Sequence, residues 1–161
     1  MHDPSPLSSD APFTIAHDHA SRSVSEPTLR ACVHALLDGE DATLASLSIV
    51  LSDHATVHRL NRDYLSHDYE TDVLSFSLQD PDAAPTSDDS EATPVVDGEV
   101  YVDLDTAAER CAEFDATFEE EALRYVLHGV LHLVGYGDAT PEQRMHMRRL
   151  EDRYLAAASA S

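Results

Sequence analysis

A chain of 161 residues, 42% of them hydrophobic, is long enough for one domain with a core of its own and too short for two comfortable ones. It carries 31 acidic residues against 10 basic ones, all arginine, for a formal net charge of −21, and this balance argues against the basic face that nucleic-acid binding in dilute buffer normally needs. No apolar run approaches the roughly 20 residues of a membrane span, and the acidic, proline-bearing start lacks the marks of a signal peptide, so a cytoplasmic location without membrane contact is expected.

Residues 1–12 read as a disordered leader, and 13–157 as a single metal-binding catalytic domain. Phe13–Ile15 is a short first strand. Pro27 to Leu37 is a helix with Leu29, Val33, Leu36 and Leu37 in one stripe and Gly39 as its stop. Leu47–Leu51, rich in branched residues, is a strand. Thr56 to Leu65 is a short helix, and Asp72–Leu78 alternates as a strand. Residues 79–97, with three prolines and a run of acidic side chains, read as a long solvated loop. Glu99–Leu104 returns to strand. Three helix starts then show capping-box spacing: Thr106 with Glu109, Thr117 with Glu120, and Thr140 with Gln143, the last followed by Pro141 at the first helical position. Cys32 and Cys111 fall on separate helices and read as reduced thiols.

The second of these three helices carries the chemistry. His128 and His132 are i and i+4, so both imidazoles leave the same face. Two nitrogens at about 2.0–2.1 Å from one ion must lie a few ångströms apart, which this spacing on a rigid helix delivers. Gly135 ends the helix in a left-handed turn, and Asp138 returns as a third ligand. Three protein ligands and one open position make a catalytic rather than a structural site. An open position can hold a water whose pKa falls toward about 7. Zinc is the expected ion, one per chain; Asp138 as an oxygen ligand also suits manganese or nickel. His2, His17 and His19 read as solvated, and His34, His54, His58, His67 and His146 as surface residues.

Taken together, these residues resemble the YbeY family of endoribonucleases, the rRNA maturation factors. The family's HGxLHLxGYDH pattern stands here as His128-Gly-Val-Leu-His-Leu-Val-Gly-Tyr-Gly-Asp138. Leu60-Asn61, Thr71-Asp-Val-Leu-Ser-Phe76, Gly98-Glu-Val and the spacing of Met147, Glu151 and Leu155 resemble its other motifs in the same order, over roughly residues 13–156. The order of elements, helices and strands mixed and then three helices in a row, already points to an α+β domain with one small sheet covered by helices; with the resemblance the expectation is a mixed four-stranded sheet and a metzincin-like HxxxHxxGxxD metal site. The resemblance also implies a single-strand-specific, metal-dependent endoribonuclease. Such an enzyme acts in 3′-end maturation of small-subunit (16S) ribosomal RNA and in ribosome quality control, with single-stranded ribosomal RNA and the ribosome or its small subunit as partners.

Two positions depart from the family pattern. Asp138 stands where the family has a ligand His, with Gly137 where it has Asp; a carboxylate there makes the ion a weaker Lewis acid. Leu65 stands where an Arg commonly follows the tyrosine matched by Tyr64, which leaves Arg62 or Arg59, one helical turn away, to contact phosphate. The general base is not identified; Glu99 and Asp103 on a neighbouring strand are carboxylates better suited to solvated or capping roles. Two other readings compete. A zinc metallopeptidase of minimal zincin type would need the glutamate of HExxH, but Gly129 follows His128. A non-catalytic, metal-stabilised ribosome-assembly factor would use the arginines of the last helix, Arg144, Arg148, Arg149 and Arg153, to meet RNA or protein.

A surface this acidic repels itself in dilute buffer, and molar salt shortens the screening length to about 3 Å. Strong acidity without lysine suggests a salt-rich cytoplasm, so the melting temperature is expected to rise between low and molar sodium chloride; a scan showing no gain refutes that reading.

Overall fold

The computed structural model describes residues 12–65, 73–78 and 94–160. In chain order these form strand β1 (Phe13–His17), helix α1 (Glu26–Gly39), strand β2 (Thr43–Ser52) and helix α2 (His54–Leu65). Strands β3 (Val73–Ser77) and β4 (Val95–Asp103) follow, then helix α3 (Leu104–Arg110), a 3-10 turn (Cys111–Phe114), α4 (Phe118–Val134) and α5 (Pro141–Ala160). The four strands make one mixed sheet in the order β1-β2-β4-β3. Strands β1, β2 and β4 are parallel, and β3 runs antiparallel on β4. The α+β class and the small mixed sheet match the expectation. Among the described residues no helix is long and apolar enough to cross a membrane. Residues 1–11 of the expected leader, most of the acidic loop and His67 lie outside the described residues.

Alternation along the strands decides which face is buried. Leu47, Ile49 and Leu51 of β2 sit in register with Gly98, Val100 and Val102 of β4, and these apolar side chains turn to one side. Helix α4 lies against that side, over β4 and β3, and α1 and α5 pack beside it. The helix comes close because two positions lack side chains. A Cβ on Gly129 would lie 2.5 Å from Val100 Cγ1, and a Cβ on Gly98 would lie 2.8 Å from Leu133 Cδ2 and 2.4 Å from the Phe76 carbonyl oxygen. Val126, Leu127 and Val130 fill the rest of the contact, all fully or almost fully buried.

Helix and strand ends follow local chemistry, and several depart from the sequence reading. Thr117 and Glu120 form the expected capping box on α4, and Thr140 and Gln143 form one on α5. Helix α3, however, is capped by Asp103 rather than by Thr106. The Asp103 carboxylate accepts from the Thr106 N–H at 2.9 Å and from its hydroxyl at 2.7 Å, so the helix begins at Leu104 directly from the strand. Asp103 thus takes the capping role. Helix α1 runs through Gly39, and the left-handed residue beyond it is Asp41, with φ 54°. Gly39 is small for another reason: a Cβ there would lie 2.4 Å from the Tyr154 hydroxyl. Strand β4 begins at Val95, so the last three residues of the expected 79–97 loop belong to the sheet, where Val95 pairs with Thr43. Cys32 is buried, Cys111 is half-buried, and both are free thiols.

Gly129→Ala places a methyl group against Val100 and is expected to destabilise the protein by about 1–3 kcal/mol, read as a lower urea midpoint. Val100→Ala in the same background should recover part of that loss; additive losses would show that the close contact is not the cause.

Candidate metal centre

Helix α4 holds His128 and His132 one turn apart near its C-terminal end, with their Nε2 atoms 3.0 Å from each other. Gly135, at φ 129°, closes the helix. The Gly135 and Tyr136 N–H groups both return to the Leu131 carbonyl, and the chain doubles back. That reversal brings Asp138 Oδ2 to 3.1 Å from His128 Nε2 and 3.4 Å from His132 Nε2. The three residues expected to share an ion are thus brought together, and among the described residues they are the only group of His, Cys, Asp and Glu placed to hold one.

The proton positions follow from the partners. His128 Nδ1 is 2.7 Å from Glu151 Oε2, and His132 Nδ1 is 2.9 Å from the Tyr136 carbonyl oxygen. Both partners only accept, so each Nδ1 carries the hydrogen and each Nε2 offers a lone pair. The two Nε2 atoms and a carboxylate oxygen then face one point, an arrangement that suits a cation. Donor separations of 3.0, 3.1 and 3.4 Å suit a tetrahedral ion with bonds of about 2.0–2.1 Å, for which they average about 3.3 Å. The donors are open to solvent: His128 is 23% exposed, His132 28% and Asp138 42%.

Each donor is braced from elsewhere in the fold. Glu151 is buried on α5, and its other oxygen takes a bond from Arg124 Nη1 at 3.0 Å. Arg124 also reaches Asp152, at 2.7 Å. Burial alone would lower the Arg124 pKa, but the bonds it donates to Asp152 and Glu151 outweigh this and raise the value. The Tyr136 hydroxyl donates to Glu40, as does that of Tyr154. The Glu40 bond pushes Tyr136 up to about 12, so it stays a neutral donor. Arg144 Nη1 holds the carbonyls of Asp138 and Ala139 at 3.3 and 3.2 Å.

A cleft of about 240 Å³ opens beside the donors. His128 and Asp138 form part of its wall, and Arg110, Arg124, Arg144 and Arg148 form much of the rest. The sequence reading named Arg144 and Arg148 for their density on the last helix, and Glu151 for the family spacing of that helix without its role behind His128; it missed Arg110 and Arg124, which come from other elements. Arg149 and Arg153 do not line the cleft. Arg59 and Arg62 stand with His54 and His58 around a separate depression; Arg62 pairs with Asp63 at 3.3 Å. Two histidines expected on the surface prove to be structural. The His19 side chain is only 8% exposed and bonds Asp105 at 2.8 Å, holding that carboxyl down to about 2 together with the His54 N–H. His54 Nδ1 bonds the buried Asp103 at 2.6 Å.

Comparisons with known proteins point to one family. The family model described as endoribonuclease YbeY matches residues 14–159. The endoribonuclease YbeY of Salinibacter ruber is 55% identical over 146 residues, 91% of each chain. That of Chlorobium phaeovibrioides is 38% identical over 144 residues, 89% of each. The solution structure of TM1509 from Thermotoga maritima superposes with a TM-score of 0.57 at 26% identity, over 89% of this chain and 88% of the other.

Removing the brace behind His128 should loosen the donor set. Glu151→Ala is expected to weaken Zn²⁺ binding about 10–100-fold in competition with a chromophoric chelator, and Glu151→Gln, which keeps an acceptor oxygen, should weaken it less. Equal loss in both variants would contradict an orienting role.

Proposed function

The chain belongs to the YbeY endoribonuclease family, and from that premise we propose that it cleaves single-stranded RNA with a divalent ion, zinc by preference, held by His128, His132 and Asp138. On this reading its task is 3′-end maturation of small-subunit ribosomal RNA and ribosome quality control, carried out in the cytoplasm in contact with the small subunit. The observation that carries the reading is the junction of two features: three converging, solvent-open donors and a cleft walled by arginines. An ion in such an open site supplies a polarised phosphoryl oxygen and a water of lowered pKa.

The chain's own residues do the remaining work. Glu151 and the Tyr136 carbonyl fix the two imidazoles in the tautomer that presents Nε2. Arg144, besides anchoring the Asp138 loop, joins Arg110 and Arg148 in offering planar donors to phosphate oxygens. These three take the phosphate role for which the sequence suggested Arg59 and Arg62. The donor order, HxxxHxxGxxD, is metzincin-like in spacing, but a peptidase base after His128 has no place here. The Cβ direction of Gly129 runs into Val100 of the sheet, so a glutamate at that position would meet the core and not the donors.

His132→Ala is expected to abolish stoichiometric zinc binding and to lower cleavage of a single-stranded ribosomal RNA 3′-end substrate by at least about 100-fold. If metal is lost while processing continues unchanged, the protein is an assembly factor and the enzymatic reading fails.

A further inference from the structure

Three glutamates fill the first turn of α4, and two of them have evident local duties. Glu119 accepts the Ser25 N–H at 3.1 Å, and Glu120 completes the capping box with Thr117. Glu121 does neither. It is only 4% exposed, yet among the described residues no hydrogen bond or ion pair engages its carboxylate. It lines the arginine cleft beside the metal centre. Its oxygens still reach the water of the cleft, so the carboxylate is thinly hydrated rather than orphaned, and the helix dipole at the N-terminus favours its charge. The side chain is thus placed for a ligand that brings its own N–H donors.

The other walls narrow the chemistry of that ligand. Glu121 and His128 are seven residues apart, so they share one face of α4, about 10 Å apart along the axis. Buried Tyr125 and Met147 give the cleft an apolar wall between arginines. A ligand meeting all of this is anionic where the arginines stand, flat where the wall is apolar, and a hydrogen-bond donor at Glu121. A nucleotide of single-stranded RNA has these properties. At about 240 Å³ the cleft falls below the usual range for drug-sized ligands, about 300–1,000 Å³, and so suits one base rather than several. Guanine is the base whose Watson–Crick edge sets two donors, N1–H and the N2 amino group, side by side to face both oxygens of a carboxylate. Adenine and cytosine offer one amino donor beside an acceptor nitrogen, and uracil flanks its single N–H with two carbonyls.

We propose that Glu121 is a specificity-determining residue that selects guanine in the nucleotide neighbouring the phosphate at the metal centre. This rests on the endoribonuclease reading and goes beyond it by naming the base preference and the group that sets it. The test is binding of fluorescein-labelled RNA hexamers to zinc-loaded protein at fixed salt. The hexamers are identical except for one central guanosine, inosine or uridine. Inosine keeps N1–H and lacks the N2 amino group.

Wild type is expected to prefer guanosine over inosine by about tenfold, and uridine should bind most weakly. Glu121→Ala should bind the three hexamers alike. Glu121→Gln, which keeps the size of the side chain and turns one acceptor into a donor, should lose the guanosine preference even if the alanine variant folds poorly. Arg148→Ala should weaken all hexamers equally and leave the guanosine-to-inosine ratio unchanged. Equal binding of the three hexamers by wild type, or a preference that survives in Glu121→Gln, overturns base selection while leaving the nuclease reading in place. No binding of any hexamer, with no cleavage, overturns both.

Discussion

Helix α4 rests on the sheet at a distance set by two missing side chains, Gly129 on the helix and Gly98 on strand β4. That contact fixes the rotation of the helix as well as its height. With Gly129, Val126 and Val130 turned to the sheet, the stripe through Glu121, Arg124 and His128 turns away from it, toward α5. The donors owe their position to this packing, because a rigid helix with a buried face leaves its other face no freedom to rotate. Glycine at position 129 therefore has two consequences from one cause: it seats the helix, and it leaves the position where a peptidase carries its base turned into the sheet.

Acidic residues brace the site, although an acidic surface opposes RNA. Glu151 is spanned by His128 and Arg124, and Glu40 ties Tyr136 to Tyr154 across α1, the site loop and α5. These carboxylates act through short bonds in partly buried surroundings, which salt screens little. The repulsion of the remaining surface acts over longer distances and is what salt removes. A strongly anionic chain can thus keep a local cluster of arginines effective toward phosphate once ionic strength has silenced the rest.

What the sequence disclosed and what it concealed divide along physical lines. The i, i+4 histidines, the helix-ending Gly135 and the return of Asp138 are local in the chain, and local geometry placed them together. The capping boxes at Thr117 and Thr140 were legible for the same reason. Asp103 displaced Thr106 as a cap because the strand runs into the helix with no loop, which depends on where β4 ends in the sheet. Glu151 meets His128 from 23 residues away, and Arg110 enters the cleft from α3. Such pairings depend on how helices cross, and no spacing in the sequence encodes that. His19 looked solvated beside a polar leader, yet its partner Asp105 lies 86 residues on.

The carboxylate in place of a third imidazole changes the charge at the site. On the proposed reading, two neutral imidazoles and Asp138 leave a divalent ion with a net charge of +1, where three imidazoles would leave +2. Donor sets of two histidines and one carboxylate are competent for hydrolysis, but the ion attracts a phosphate less strongly and polarises it less. The deficit falls at the very edge where Arg110, Arg144 and Arg148 gather. Arginine keeps its charge at any working pH and meets phosphate through two parallel N–H groups, so it restores attraction without altering the donor set. Arg144 performs both tasks at once, since the guanidinium that lines the cleft also holds the Asp138 carbonyl. On that same reading a substrate phosphate that draws on Arg144 would bear on the loop that supplies the third donor, so that one side chain would couple RNA binding to metal binding.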